Sequence, residues 1–271
     1  MRIARFTTGD EPSYGVLSGE LDAFGQPEDD AVLVALAGDP MYVGLKLLET
    51  EHQLADVRLL APVLPRSKVI GIGRNYAAHA AELGNDVPEE PLMFLKPNTS
   101  VAGPGDPIFY PPQTKNLHYE GELAVVIGRI CRDVPNNMDD VNSVIWGYTI
   151  GNDVTARDLQ RSDVQFTRAK GFDSFCPLGP WIETDLDPQH FIGGVQLQTH
   201  LNGEVVQDGS TADMIFDIPA LIAHVSSVMT LLPGDVILTG TPEGVGPMEV
   251  GDEVEVSIAG LGSLTNKVAQ R

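Results

Sequence analysis

The chain has 271 residues, of which 42% are hydrophobic, and it carries a formal net charge of −21 with a pI near 4.4. This acidity counts against nucleic acids and anionic membranes as partners, because such a surface repels phosphate groups. No run approaches the roughly 18 apolar residues of a membrane span. The N-terminal segment lacks the apolar core of a signal peptide, so we expect a cytoplasmic protein without a membrane partner.

Residues 1–60 are predicted to form a small N-terminal α+β module. Its predicted elements are, in chain order, strands at Arg2–Thr7 and Tyr14–Leu17, a polar loop that contains Asp29 and Asp30, and a helix near Tyr42–Ala55. The two prolines of the next segment, Leu60–Ser67, are typical of a connection. We therefore divide the chain into residues 1–60 and a main domain of residues 61–271.

The main domain is predicted to consist mostly of strands. They are, in chain order, Lys68–Gly73, Leu92–Lys96, Leu117–Gly128, Val144–Asn152, Gln196–Leu201, Glu204–Gln207, Asp235–Thr239 and Glu253–Ile258. Helices are predicted at Asn75–Leu83, from about Thr155, where Thr155 and Asp158 approximate a capping box, and from Asp217 to about Leu231. The Asn202-Gly203 pair favours the type I′ turn of a hairpin.

Strands and helices do not alternate regularly along the main domain, which argues against a doubly wound parallel sheet. We expect a mixed α+β, β-rich fold with a strongly curved sheet.

Positive charge is concentrated in one part of the sequence: nine of the 17 basic residues lie between Arg74 and Lys170, and none lies between Gly171 and Asn266. This distribution permits a local site for an anionic substrate, although a random placement of basic residues on an acidic surface would produce it as well.

The segment His118–Gly128 places two carboxylates on one face of a strand. Alternate residues of a strand share a face about 7 Å apart, so Glu120 and Glu122 point the same way. Further along, both faces are apolar, so the strand is expected to be buried. Buried carboxylates need a cation, a proton or strong donors, and a divalent metal meets that need. Asp153 is a third candidate ligand, although a helix N-cap would also explain it; three carboxylates without a cysteine favour Mg²⁺ or Mn²⁺.

Two further sets of residues could carry chemistry. His79 and Glu82 are three apart and share a helix face, so the carboxylate can orient the imidazole as a general base, although such a pair is often ordinary surface. Lys96 and Lys170 lie beside proline or glycine, where either could bind a carboxylate or stabilise an enolate; solvated lysines are the alternative interpretation. The loop Thr239–Gly246 could offer backbone N–H groups to an anion.

Eight segments of the main domain carry motifs in the order of a known family. They are Gly73–Glu82, Phe94–Pro97, His118–Glu122, Asp153–Asp158, Lys170–Asp173, Leu201–Glu204, Met214–Pro219 and Thr239–Pro242. From about residue 60 to residue 269 the chain thereby resembles the fumarylacetoacetate hydrolase family, whereas the first 60 residues match it only in general character. The resemblance implies a β-roll catalytic domain, a homodimer, and a bound Mg²⁺ or Mn²⁺ ion.

The resemblance also implies a role for each candidate residue. The implied metal ligands are Glu120, Glu122 and Asp153. The implied catalytic residues are the His79–Glu82 dyad and Lys170. Implied substrate contacts are Arg74, Gln160 and Thr241. Each of these positions carries the residue type that the family motif requires.

Members of this family hydrolyse acylpyruvates such as fumarylpyruvate, decarboxylate oxaloacetate or related oxo acids, or isomerise 2-hydroxy-dienoates of aromatic catabolism. The reactions share an enolate formed from a 2-oxo acid that the metal chelates. Because His79 and Glu82 can activate a water molecule, the sequence favours C–C hydrolysis of an acylpyruvate. The alternatives are an oxaloacetate decarboxylase and an isomerase of the 2-hydroxyhepta-2,4-diene-1,7-dioate type. A non-catalytic metal-binding β-domain would keep the three acids but would need neither the dyad nor the lysine. The expected partner is a small anionic 2-oxo acid.

Overall fold

The computed structural model describes residues 1–9, 11–22, 24–28 and 30–271. Over these residues the strands are β1 (Arg2–Thr7), β2 (Ser13–Ser18), β3 (Val32–Leu36), β4 (Leu47–Gln53), β5 (Arg58–Leu60), β6 (Val69–Gly73), β7 (Leu92–Lys96), β8 (Val101–Ala102), β9 (Ile108–Tyr110), β10 (Leu117–His118), β11 (Gly121–Ile127), β12 (Ile145–Asn152), β13 (Thr155–Ala156), β14 (Cys176–Glu183), β15 (Gln196–Leu201), β16 (Glu204–Ser210), β17 (Val236–Leu238), β18 (Pro247–Met248), β19 (Glu253–Ile258) and β20 (Gly262–Gln270). The α-helices are α1 (Pro40–Val43), α2 (Ala77–Glu82), α3 (Met138–Val144), α4 (Arg157–Ser162), α5 (Thr167–Lys170), α6 (Pro188–Ile192) and α7 (Ile218–Val228).

Three sheets organise the chain. The largest has the strand order β4-β3-β2-β1-β14-β12-β11-β17-β6-β7, with β5 paired to β1 and β8 paired to β14. A second sheet has the order β16-β15-β19-β20-β9, and a small third sheet joins β13, β10 and β18. Antiparallel and parallel neighbours are mixed, since β17 runs parallel to β6 while β11 runs antiparallel to both β12 and β17. The predicted mixed, β-rich fold is confirmed.

The largest sheet continues from the N-terminal strands into the main domain. Strand β1 pairs with β2 and β5 and also with β14, where Arg2 lies opposite Glu183. The N-terminal ammonium group of Met1 forms an ion pair with Glu183 at the same place. The N-terminal strands are therefore hydrogen-bonded to the main domain rather than merely tethered to it.

Strand β11 is buried along its whole length, as the apolar run of the sequence predicts. Leu123, Val125 and Ile127 pack on one face in the main core, together with apolar side chains of α7 and β19. Ala124 and Val126 pack on the opposite face in a second apolar cluster. A strand covered on both faces must be apolar throughout, so any charged residue on this segment is confined to its start.

The strand order brings four chain segments together at one end of the central strands of the largest sheet. Because β11 runs antiparallel to β12 and β17, its first residues lie beside the last residues of those strands. Strand β6 runs parallel to β17 and therefore finishes at the same end of the sheet. The residues that follow β6, β12 and β17 converge there on Glu120 and Glu122. The site therefore lies at this end of the central strands.

Several local predictions are confirmed. The hairpin of β15 and β16 turns at Asn202 and Gly203, whose φ angles of 53° and 85° suit a type I′ turn. The side chain of Asp217 caps α7 by accepting a hydrogen bond from the backbone of Ala220. Helix α7 ends at Val228, earlier than expected, because the backbone of Leu231 pairs with that of Cys131.

The predicted helix near Tyr42–Ala55 is wrong. Within that range only the end of α1 and the start of a 3-10 helix at Leu54–Asp56 are helical, and Gly44, with a φ of 74°, ends α1. The following residues form β4, which pairs with β3 from Val32 opposite Gln53 onward. Cross-strand pairing with a distant segment has overridden local helix preference. Of the predicted polar loop, Asp29 lies outside the described residues.

Two predictions near the site are also corrected. Thr155 does not cap a helix, since it lies in β13, and α4 begins at Arg157 without a side-chain cap. The hydroxyl of Thr155 donates instead to the carbonyl oxygen of Asp153 at 2.8 Å. The predicted strand from residue 117 to residue 128 is interrupted after His118, where the backbone nitrogen of Glu120 donates to the side chain of Asn152 instead of to a strand partner.

Candidate metal centre

Three carboxylates meet where β11 begins and β12 ends. Glu120 precedes β11, Glu122 is its second residue, and Asp153 follows β12. Their side chains offer oxygen atoms that lie within 4.8 Å of one another. All three residues are at most 4% exposed. The sequence prediction that these acids converge in a buried position agrees with this geometry.

Three buried cations surround the carboxylates. Lys170, the last residue of α5, donates to Glu120 Oε2 at 2.7 Å, to Thr155 Oγ1 at 2.8 Å and also to Asp153. Lys96, the last residue of β7, forms an ion pair with Asp153 Oδ1. Arg157 binds Glu120 Oε1 at 2.5 Å. Three cations therefore face the three carboxylates, which makes the burial of the ionised ones tolerable.

The cations pair with Glu120 and Asp153 but not with Glu122, and the pKa values of the two glutamates differ accordingly. Burial raises the pKa of Glu120, but Lys170 and Arg157 outweigh burial and hold that pKa well below its usual range. Burial raises the pKa of Glu122 well above its usual range, and the charges of Asp153 and Glu120 add to the effect. Burial lowers the pKa of Lys170, but Asp153 and Glu120 raise it above its ordinary value. Glu122 is thus the carboxyl that carries a proton when the protein holds no metal.

The residues fit a hard divalent ion. Glu122 Oε2 accepts a hydrogen bond from the backbone of Gly240 at 2.7 Å, whereas its Oε1 accepts none from the described residues. A carboxylate has about four acceptor positions, so the lysine-bound oxygens of Asp153 also keep free lone pairs. An all-oxygen donor set with no cysteine or histidine suits Mg²⁺ or Mn²⁺. The ion would take the place of the proton on Glu122.

The proposed dyad lies on α2. His79 is 4% exposed, and its buried Nδ1 is 3.5 Å from Glu82 Oε2, in contact with the carboxylate but without a hydrogen bond to it. Glu82 also accepts hydrogen bonds from the backbone of Gly244 at 3.2 and 3.3 Å. Burial lowers the pKa of His79, so its imidazole is neutral at pH 7 and able to accept a proton.

A cavity of about 220 Å³ opens onto the carboxylates. Most of the predicted site residues line it: Arg74, His79, Glu120, Glu122, Gln160, Lys170 and Thr241. Asp153 and Glu82 do not line it, since each lies behind another site residue, Asp153 at Lys170 and Glu82 at His79. The structure thus brings all nine predicted residues into one region.

Four residues of the region were not assigned a role from the sequence or were open to another interpretation. Lys96 is only 1% exposed, so the interpretation as a solvated lysine is wrong. Arg157 donates both to Glu120 and to Gln160. Arg161 lines the cavity. Gln207 donates a hydrogen bond to Thr241, which also lines the cavity. The only sequence signal for these roles was that Arg157 and Arg161 are four residues apart, on a short helix that begins soon after Asp153.

The chain belongs to the fumarylacetoacetate hydrolase family. The family model described as "Fumarylacetoacetate (FAA) hydrolase C-terminal" matches residues 68–269, and the model "Rv2993c-like, N-terminal" matches residues 1–62. Within the described residues, no helix has the length and apolarity needed to cross a membrane.

Similar proteins are named for different reactions. A solved structure of 5-carboxymethyl-2-hydroxymuconate delta-isomerase from Mycobacterium smegmatis is 50% identical, covers 100% of both chains and has a TM-score of 0.88. The mitochondrial oxaloacetate tautomerase FAHD1 of Arabidopsis thaliana is 45% identical over 76% of this chain and 92% of its own. Fumarylpyruvate hydrolase from Pseudomonas aeruginosa, solved with Mn²⁺ and pyruvate, is 33% identical over 79% of this chain and 92% of its own, with a TM-score of 0.70.

Proposed function

We propose that the protein is a divalent-metal-dependent enzyme that acts on small 2-oxo or 2,4-dioxo acids, with Glu120, Glu122 and Asp153 as the metal ligands. The observation that carries the proposal is the convergence of three buried carboxylates at a cavity that also contains a neutral histidine. A bound Mg²⁺ or Mn²⁺ ion supplies positive charge that binds the substrate's carboxylate and 2-oxo oxygens and lowers the energy of its enolate.

The remaining site residues have roles that follow from their contacts. His79 faces the cavity and would accept or return the proton at the carbon next to the 2-oxo group, while Glu82 orients the imidazole. Lys170 holds Glu120 and Asp153 and adds positive charge near the substrate oxygens. Gln160 and Thr241 offer polar groups to the substrate from the cavity wall.

The charge of the cavity favours a substrate with two carboxylates. Its charged lining residues, apart from the histidine, are Arg74, Arg157, Arg161, Lys170, Glu120 and Glu122. With Glu122 ionised, as it must be to hold a metal, the lining residues have an excess of two positive charges in a chain whose net charge is −21. Arg157 and Lys170 are paired with acids, whereas Arg74 and Arg161 form no ion pair with the described residues. These two arginines are free to bind a second carboxylate.

Tautomerisation or isomerisation of an enol to its keto form is the reaction we rank first. It needs only proton transfer, which His79 can perform alone. The oxaloacetate tautomerase and the 5-carboxymethyl-2-hydroxymuconate isomerase are 45% and 50% identical to this chain, and the isomerase covers all of it.

C–C hydrolysis of an acylpyruvate such as fumarylpyruvate is the second candidate, and it is the reaction that the sequence favours. It needs a water molecule activated by His79 in addition to the enolate. The fumarylpyruvate hydrolase that supports it is 33% identical and covers 79% of this chain. Decarboxylation of oxaloacetate would proceed through the same enolate and is a third outcome of the same assay.

The test is to incubate the purified protein with Mg²⁺ or Mn²⁺ and the enol form of oxaloacetate, 5-carboxymethyl-2-hydroxymuconate or fumarylpyruvate. We expect metal-dependent turnover of at least one enol, with a loss of about 100-fold or more in His79→Ala. Product analysis separates a shifted double bond from a cleaved carbon–carbon bond or released CO₂. Absence of metal-dependent turnover on all three substrates would contradict the proposal.

The homodimer and the cytoplasmic location expected from the sequence remain proposals. Sedimentation velocity at micromolar concentration checks the first, because one chain has a mass of 29.1 kDa and a dimer has twice that. A species that stays at the monomer mass over the working concentration range would contradict it.

A further inference from the structure

Gln207, in β16, lies between the carboxylate-bearing strand and the cavity wall. Its side chain is buried, with the residue 1% exposed. Its Oε1 accepts hydrogen bonds from the backbone nitrogen of Gly121 at 3.1 Å and from Thr199 Oγ1 at 2.7 Å. Gly121 is the residue between Glu120 and Glu122, so this acceptor holds the backbone that both glutamates share.

The other end of the same amide holds the loop 239–246, which we name the substrate loop. Gln207 Nε2 donates to Thr241 Oγ1 at 2.8 Å and to the carbonyl oxygen of Pro242 at 2.9 Å. All hydrogen-bonding positions of the amide are therefore used inside the protein. One side chain joins the strand that carries two proposed ligands to the loop that lines the cavity.

Two other contacts close the connection. The backbone of Gly240 donates to Glu122 Oε2, and that of Gly244 donates to Glu82. A shift of the substrate loop would therefore move a hydrogen-bond donor of a metal ligand and a hydrogen-bond donor of the dyad together.

The packing leaves the loop little room to move towards β16. A Cβ atom on Gly209 would lie 2.6 Å from Pro242 Cβ, and one on Gly244 would lie 2.2 Å from the carbonyl oxygen of Val206. Gly244 also has a φ of 93°, which an L side chain rarely adopts. The loop is thus built to sit directly against β16, with Gln207 as its side-chain hydrogen-bond anchor.

We propose that Gln207 is a positioning residue that fixes the substrate loop, and with it Thr241 and the dyad, relative to the metal carboxylates. Its role in substrate binding rests on the proposed function, whereas its role in holding the loop does not. Lys170 and Arg157 hold the side chain of Glu120, and the backbone of Glu122 pairs with β12, so loss of the amide loosens the loop far more than the metal site.

The test compares Gln207→Met, which keeps the side-chain length but cannot make these hydrogen bonds, with Thr199→Val as the matched control. Thr199 is equally buried and bonds the same amide, but it does not touch the loop. The readouts are amide hydrogen exchange of residues 239–246 in the metal-free protein, the Kd for Mn²⁺, and the Kd for oxalate in the presence of Mn²⁺.

In Gln207→Met we expect loop exchange to rise about tenfold and oxalate affinity to fall about tenfold, the equivalent of one lost hydrogen bond. The Kd for Mn²⁺ should change less than about threefold. Thr199→Val should leave loop exchange and oxalate affinity within about twofold of the wild type. If Gln207→Met does not fold, Gln207→Asn, which keeps the amide but cannot span both partners, should give the same pattern.

Unchanged loop exchange in the folded Gln207 variants would overturn the inference, and so would equal effects in Thr199→Val, since these would indicate general core damage. Failure of the wild-type protein to bind oxalate with Mn²⁺ would contradict the proposed function instead. The exchange measurement in the metal-free protein would still decide whether Gln207 holds the loop.

Discussion

The backbone nitrogen of Asp153 donates a hydrogen bond to the carbonyl oxygen of Glu120 at 2.9 Å. The two residues lie just outside the antiparallel pair β11–β12, where Gly121 pairs with Asn152. This bond continues the ladder by one step and brings two carboxylates from separate strands together. Lys170 then bridges the same two side chains. Backbone pairing therefore sets the spacing of the proposed ligands, and the lysine compensates their charge.

Replacing that lysine should destabilise the metal-free protein. Lys170→Met leaves Glu120 and Asp153 buried with one cation fewer, and we expect a loss of about 3 kcal/mol in the free energy of unfolding. Saturating Mn²⁺ should recover part of the loss, because the ion supplies the missing charge. Urea unfolding with EDTA and with Mn²⁺ measures both quantities.

The matched control is Lys115→Met, which removes an exposed lysine from the surface. It should change the free energy of unfolding by less than about 0.5 kcal/mol. A Lys170→Met protein as stable as this control in EDTA would show that the carboxylates do not need the lysine.

The activity should depend on pH through His79. Burial lowers the pKa of His79 below its ordinary value of 6.5, so the neutral base persists as the pH falls past that value. The rate should drop only at lower pH, where the imidazole becomes protonated in the folded protein. Because the pKa of His79 is lower in the folded protein than in the unfolded chain, its contribution to folding stability is present above pH 6.5. That contribution is lost as the pH falls through the lowered pKa.

A profile of kcat/KM against pH under saturating Mn²⁺ checks this expectation. Glu82 raises the pKa of His79, so Glu82→Gln should move the acid limb to still lower pH. An acid limb centred at or above pH 6.5 in the wild-type protein, or one that Glu82→Gln leaves in place, would rule out His79 as the group that titrates.

The sequence was sufficient to predict the three clustered carboxylates and the buried strand that begins at two of them. The apolar run from Leu123 to Ile127 predicted a buried strand, and the alternation of Glu120 and Glu122 placed both acids on one face. What it could not supply was long-range pairing. Lys96 reads as an ordinary lysine until β7 pairs with β6 and brings its ammonium group to Asp153.

The same limit explains the elements that were missed. Strands β14 and β20 carry prolines, glycines or polar residues that obscure an alternating pattern, and they are strands because β12 and β19 pair with them. Gln207 gave no local signal at all, since both groups that its amide joins are distant in sequence. Elements with a clear local pattern were predicted, whereas these two strands and the contacts between elements required the fold.

Metal binding should release a proton from Glu122. Burial and the neighbouring acids raise the pKa of Glu122, so its carboxyl is protonated in the metal-free protein and must ionise to bind the ion. The affinity for Mn²⁺ should therefore rise as the pH increases above the ordinary glutamate value of 4.5 towards the raised pKa. Across that window the metal-free protein should become less stable with increasing pH, because the unfolded chain gives up this proton first.

Calorimetric titration with Mn²⁺ in two buffers of different ionisation enthalpy counts the released protons. We expect proton release on binding in the wild-type protein at pH values below the raised pKa of Glu122 and none from this site in Glu122→Gln, which should also bind more weakly. An observed enthalpy that does not depend on the buffer would contradict the assignment of the proton to Glu122.

The unpaired arginines of the cavity should select dicarboxylic substrates. Arg161→Gln should weaken binding of 2-oxoglutarate about tenfold or more, as expected for a lost charge-assisted hydrogen bond, and leave 2-oxopentanoate nearly unchanged. Arg74→Lys should act in the same direction, because lysine cannot bind a carboxylate through two nitrogens. Calorimetry in the presence of Mg²⁺ compares the two ligands, which differ only in the distal carboxylate.

Arg168→Gln is the control for that experiment. Arg168 lies in the same segment but is exposed and paired with Asp163, and it does not line the cavity. It should leave the ratio of the two affinities unchanged. If Arg168→Gln lowers 2-oxoglutarate affinity as much as Arg161→Gln does, the preference arises from general charge and not from contact.

The most direct measurement is a crystal structure of the protein grown with Mn²⁺ and oxalate, with the ion located by its anomalous scattering. We expect one strong peak per chain at bonding distance from an oxygen of each of Glu120, Glu122 and Asp153, with the oxalate on its cavity side and Lys170 still bound to Glu120. A peak held by other residues, or no peak while Lys96, Arg157 and Lys170 remain the only cations at the carboxylates, would contradict this assignment of the metal site.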